Sequence, residues 1–294
     1  MSTPVAVEAP DPGLRTQDLG LRLRRPRGLG PAVAKYAAVF SVSVHNQLAY
    51  WGEWLLRGVF LAMVLFVFLQ LWRATYGAQG KATIAGFTLP QMLWYLAITE
   101  SIVLSRPRVN QAIDQEVRTG DVAYVLVRPY NYAGYRLATY LGERLLRFAT
   151  TLAIGAVLAA LYVGPVPLSL SGLAGGALAL AVAMAIDFLG SFSVGLLAFW
   201  TEDTDSIALI YDRMVMLLGG TFLPLSVLPP LIARIADALP FAVLVFGPAR
   251  LALGDQQASL ALILAKQGLA LLLFGAVALA LYRAALRRVT ANGG

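Results

Sequence analysis

The stretch WLLRGVFLAMVLFVFLQLW, residues 54–72, decides the fold. Arg57, close to its start, is the one charge in it. An α-helix needs roughly 20 apolar residues, rising about 1.5 Å each, to cross the hydrocarbon core of a bilayer. A helix on the surface of a soluble domain would show a polar face every turn; this one is apolar all round. Trp54 and Trp72 close its two ends, where indole rings favour the headgroup region. The segment is therefore expected to span a membrane.

The same pattern recurs along the chain. Candidate spans run near Trp54 to Trp72, Ile84 to Leu104, Tyr140 to Val163, Leu173 to Phe199, Ile207 to Leu225 and Leu260 to Tyr282, about six in all. The third ends at the turn Gly164-Pro165-Val166-Pro167. Bulk composition agrees: 59% of the 294 residues are hydrophobic, 13% are charged, and mean hydropathy is +0.70. A soluble domain carries about twice that charge fraction. The expected architecture is all-α and integral to the membrane.

The net charge of +7 points to topology rather than nucleic acid. Arg15, Arg22, Arg24, Arg25, Arg27 and Lys35 precede the first span. Arg106, Arg108, Arg118, Arg128 and Arg136 lie between the second and third, and Arg283, Arg287 and Arg288 follow the last. Cytoplasmic loops collect Lys and Arg, so both termini are expected inside. The loop between the fourth and fifth spans departs from this, being acidic at Glu202, Asp203 and Asp205, but carboxylates weigh little in the rule. No basic groove interleaved with aromatics is present, so nucleic-acid binding is not expected. The absence of cysteine excludes disulfides and thiolate metal sites. Residues 1–31 lack an apolar core for a signal peptide and are expected to form a disordered cytosolic tail. The transmembrane domain is placed at 32–288, with a short tail at 289–294.

Residues 33–51 place Val33, Tyr36, Ala37, Phe40, Val44, Leu48 and Trp51 opposite Lys35, Ser43, Asn46 and Gln47. This predicts an amphipathic helix in the membrane interface. Between the fifth and sixth candidate spans, residues 222–253 are apolar but interrupted by Pro224, Pro229, Pro230, Pro240 and Pro248. Proline removes a backbone donor and crowds the preceding turn, so no straight helix fits. One or two re-entrant segments dipping in from the outer face are expected, in preference to an ordinary outer loop.

The longest inner loop contains Val109-Asn110-Gln111-Ala112-Ile113-Asp114-Gln115-Glu116-Val117-Arg118-Thr119-Gly120. Val109, Ala112, Ile113 and Val117 share one helical face, with Asp114, Gln115 and Arg118 away from it, and Gly120 suits the left-handed position after a helix. Such a helix either tidies a surface loop or docks a soluble partner, and the pattern alone does not choose.

The stretch Ile113-Asp114-Gln115-Glu116-Val117-Arg118-Thr119-Gly120-Asp121 with Leu126-Val127-Arg128-Pro129 resembles the E-[IV]-R-x-G-[DE]…L-[LV]-R-P pattern of ABC-2 type transporter permeases. Leu197-Ala198-Phe199-Trp200-Thr201-Glu202 and Gly219-Gly220-Thr221-Phe222-Leu223-Pro224-Leu225, continued by Pro229-Pro230 and Leu239-Pro240-Phe241, look like further blocks of the same family. The resemblance covers roughly residues 35–288. It implies an interfacial helix, six spans, a cytoplasmic coupling helix and re-entrant helices. It further implies a second permease chain, identical or related, and a separate ATP-binding subunit that carries ATP and Mg, in a bacterial cytoplasmic membrane. Val109, Ile113, Glu116, Val117, Gly120 and Asp121 then become candidates for coupling to that subunit. The apolar face of the helix is expected to anchor in the ATPase, with Glu116 facing basic groups at the cleft edge. No G-x-x-x-x-G-K-[ST] phosphate loop occurs, since Gly77-Ala78-Gln79-Gly80-Lys81 has the wrong spacing, so this chain itself is not expected to hold a cofactor or act as an enzyme.

Charges inside spans are functional candidates by default. Glu100, Asp187, Asp212 and Arg213 qualify, with Asp187 the deepest. Asp212, Arg213 and Arg57 are expected to reach the inner interface or each other, and Glu143 and Arg147 to pair at i, i+4. An intramembrane enzyme is the rival reading. The only histidine, His45, precedes the spans, and no aspartyl-protease G-x-G-D pattern accompanies Asp187 or Asp212. A secondary transporter would show matched broken helices in two halves, and only the second half has a Pro-broken segment.

Overall fold

The computed structural model describes residues 30–292 apart from 50, 129, 202 and 256, and no side chains at 31, 32, 51 and 289–292. The tail expected over residues 1–31 thus lies outside the described residues but for Gly30 and the backbone of Pro31, as do Pro129, Glu202 and Gln256.

Among the described residues eleven α-helices follow one another: α1 Pro31–Ala49, α2 Trp51–Gln79, α3 Leu89–Leu104, α4 Val109–Thr119, α5 Val122–Val127, α6 Tyr132–Val163, α7 Leu170–Leu196, α8 Asp205–Leu218, α9 Pro230–Ala238, α10 Phe246–Ala252 and α11 Leu260–Asn292. Among the described residues there is no strand, only an isolated bridge between Ile84 and Phe87. Of the described residues, four helices, α2, α6, α7 and α11, are long and apolar enough to cross a membrane, or up to five segments if the bent pair Pro230–Ala238 and Ala242–Ala252 forms one.

The second and fifth candidate spans are shorter than expected, for local reasons. Thr88 caps α3 by accepting from the Gln91 backbone amide while the Gln91 side chain accepts from the Thr88 amide, and Pro90 sits in the first turn. This reciprocal cap starts the helix at Leu89 and leaves Ile84–Phe87 as a turn. Gly219 and Gly220 stop α8 at Leu218; Gly220 has φ +72°. The non-helical backbone that follows is covered by protein: Tyr95 donates to the carbonyl of Gly220 and Thr99 to that of Thr221, at 2.7 Å for the latter. Irregular backbone at membrane depth is tolerated only with such partners.

α7 is the central helix. In its most apolar stretch 61% of residues are buried, against 17–22% in the other three long helices. Buried apolar contact gives no hydrophobic driving force between helices in lipid, so close approach at small residues does the work. The backbone of Ala252 on α10 crosses Gly176 so closely that a Cβ there would lie 2.9 Å from its nitrogen. The proline-broken region accordingly folds into α9 and α10 joined by a 71° bend, with Val243, Leu244, Val245 and Ala249 buried. Gln267 of α11 staples this region to α7, donating to the carbonyls of Val243 at 2.9 Å and Ala179 at 2.8 Å.

α1 packs along α6 through a mixed face that includes Tyr36 and Phe40 beside Ser43 and Gln47. Ser43 and Gln47 are buried while Val33, Val42 and Leu48 are about half exposed. Gly142 of α6 lets the carbonyl of Phe40 approach to within 2.7 Å of where a Cβ would stand, and Gln47 accepts from Arg147 at 2.9 Å.

Candidate functional site

α4 is held against the rest of the chain on three sides. Its base, Val109 and Ile113, is buried on α7, where Gly195 would bring a Cβ to 3.0 Å from the Asn110 Cα and the Ile113 side chain. On one flank the buried Asp114 accepts from Thr204 at 2.9 Å and pairs with Arg118 at 2.7 Å, and Arg118 reaches Asp203 at 3.1 Å. On the other flank Glu116 pairs with Arg136 of α6 and accepts from Tyr132 at 2.7 Å. Gly120 closes the helix at φ +80°. The acidic loop that departs from the charge rule is thus, at Asp203, a counterpart for Arg118.

These contacts correct one expectation. Ile113 is fully buried and Val117 packs on the same aromatic cluster, so the apolar face of α4 is consumed within the chain and does not wait for another protein. Glu116 likewise faces Arg136 rather than an open cleft edge. The reason is geometric: a short helix beside a Gly-containing helix buries its apolar stripe against the nearest surface. What remains exposed is Gln111, Gln115, Arg118, Thr119, Gly120 and Asp121, continued by Tyr124 at 76% and Val127 at 87% exposure on α5.

Just before α4, Arg106 enters a buried charge cluster. Its guanidinium pairs with Asp187 of α7 at 2.8 Å and with Asp212 of α8 at 2.8 Å, and lies 5.2 Å from the Tyr211 ring centre. Asp187 is 2% exposed and meets a second guanidinium, Arg144 of α6, as well as the hydroxyls of Tyr140 at 2.9 Å and Tyr211 at 3.1 Å. Two arginines and two aspartates balance in formal charge. Asp212 stays 58% exposed, and desolvating the other three charges is tolerated only when each has such partners.

Asp187 and Asp212, singled out from sequence, are therefore brought together through Arg106. Arg213 is not: it is exposed and touches Met216 Sδ at 3.7 Å. Arg57 pairs with Glu53 at 2.9 Å rather than with the fifth span, while Glu143 and Arg147 pair at 3.0 Å as expected. Glu100 is buried in α3, with Oε1 lacking a hydrogen-bond partner among the described residues. Sequence reading passed over Arg106 and Arg144 as flanking cations and over Tyr140 and Tyr211 as span aromatics. The one signal was stoichiometry, since a deep carboxylate needs a cation and these were the nearest to the inner ends of spans.

Long apolar helices packed on one central helix, with a short amphipathic helix tied to it, define a multi-pass membrane protein. The family model of ABC-2 family transporter proteins matches residues 59–293. The chain belongs to that family, as a permease component of an ABC transporter. No curated protein matches it.

Proposed function

We propose that this chain is the membrane-spanning half of an ATP-driven exporter, working with a separate ATPase subunit that binds ATP and Mg and with a second permease chain. In this reading α3 and α8 also cross, giving six crossings with both termini cytoplasmic, in a bacterial cytoplasmic membrane. α4 is the coupling helix. The observation that carries the reading is the clamping of α4 onto α6, α7 and the α7–α8 loop, next to Arg106 with its bonds to α7 and α8. A push on α4 then reaches several helices at once, as coupling requires.

The ATPase would meet the outer surface of α4 and α5, with Tyr124 and Val127 as apolar anchors and Gln115 and Arg118 as polar rim. Exposed aromatic anchors ringed by polar groups are typical of interfaces. Tyr124→Asp with Val127→Asp is expected to keep insertion and folding and to lose copurification of the ATPase from solubilised membranes. Ile113→Asp, by contrast, is expected to damage the permease itself. Full ATPase retention by the double variant removes this surface as the contact.

A further inference from the structure

A groove of about 370 Å³ opens between α9 and α11, on the side assigned to the outer face. Its walls are apolar: Leu239, Pro240, Val243, Leu269 and Leu273. Its rim is charged. Arg234 and Lys266 stand there with a single carboxylate, Asp237, which Lys266 holds at 2.7 Å. Arg234 makes no ion pair among the described residues. The rim thus carries one positive charge in excess beside an apolar slot, and Leu269 and Leu273, 71% and 53% exposed, lead from it along α11.

A soluble anion would satisfy only the rim, and an apolar segment without an anion only the slot. A phospholipid with an anionic headgroup satisfies both, its phosphate on Arg234 and Lys266 and one acyl chain along the leucines. Basic pockets beside membrane helices bind anionic headgroups for the same reason. We propose that the α9–α11 groove is a binding site for one anionic phospholipid, which would cover the hinge of the proline-broken segment. The inference does not depend on any ATPase partner.

Native mass spectrometry of the purified, partly delipidated protein in mixed phosphatidylglycerol and phosphatidylcholine tests it. Retention of phosphatidylglycerol over phosphatidylcholine is expected, falling about fivefold for Arg234→Gln, as loss of one cation near a headgroup implies. Leu273→Trp leaves every charge in place and fills the slot, and is expected to lower retention as well. Arg213→Gln, an exposed cation elsewhere, is expected to leave it unchanged. Equal retention of the two lipids, or unaltered retention in Arg234→Gln, overturns the site. A loss in Arg234→Gln without one in Leu273→Trp overturns the acyl slot and leaves only a basic surface.

Discussion

Asp187 is a point of convergence, since it meets Arg144 and Tyr140 of α6, Tyr211 of α8 and Arg106 from the loop that leads into α4. Removing one member of a buried pair leaves the other charge desolvated and typically costs about 3–5 kcal/mol, whereas replacing both with apolar groups is often neutral. Asp187→Leu and Arg144→Met are each expected to lower the thermal stability of the solubilised protein markedly. Asp187→Leu combined with Arg144→Met is expected to recover much of that loss, because Arg106 keeps Asp212. Size-exclusion chromatography after a heating series reads the order. A double variant that loses the sum of the two single losses would falsify direct pairing.

Among elements, α4 shows how a motif reads correctly in outline and wrongly in orientation. Its limits, its amphipathic face and the left-handed Gly120 are all visible in the spacing, and the helix lies at Val109–Thr119 as expected. Which body covers the apolar face is not, because Gly195 lies about 80 positions further on and nothing in a local pattern links the two. The same holds for α1, whose packed face draws on both stripes: Ser43 and Gln47 are buried, and Tyr36 and Phe40 meet α6 beside them. Reverse engineering that contact gives a prediction for the element. Gly195→Ala requires α4 to move by a few tenths of an ångström, since the contact is already near 3.0 Å, and Gly195→Leu requires its displacement. Neither change touches the lipid-facing surface. Normal expression is therefore expected in both, with ATP-dependent transport reduced in the alanine variant and abolished in the leucine variant. Transport in the leucine variant equal to the parent's would show that α4 need not sit on α7 for coupling.

For the whole molecule the open quantity is the number of crossings. Four helices meet the length a membrane demands, while α3 and α8, with 16 and 14 residues, rise about 24 and 21 Å at about 1.5 Å per residue, short of a core about 30 Å thick. Length was readable in the sequence as unbroken apolar runs, and the caps that shorten them were not weighed there. Yet both short helices have their missing ends supplied by buried non-helical backbone: Phe87 is buried ahead of α3, and Thr221 and Leu225 are buried beyond α8. Hydrogen bonds from Tyr95 and Thr99 bind α3 itself to the segment beyond α8. A crossing made of helix plus protein-covered coil is physically allowed, whereas the same coil facing lipid is not. The two counts differ in a measurable way. If α3 crosses, the α4 surface at Thr119 lies on the opposite side from Gln79; if it does not, both lie on one side. The same logic sets Asp203 against Gln257 across α8 and the following hairpin. Because the chain has no cysteine, single cysteines at these four positions can be labelled in intact cells with a membrane-impermeant maleimide. Labelling is expected at 79 and 257 only, with 119 and 203 reacting after the membrane is opened. Labelling of position 119 in intact cells would place α4 outside, beyond reach of any cytoplasmic ATPase, and the coupling role of that helix would fall with the six crossings.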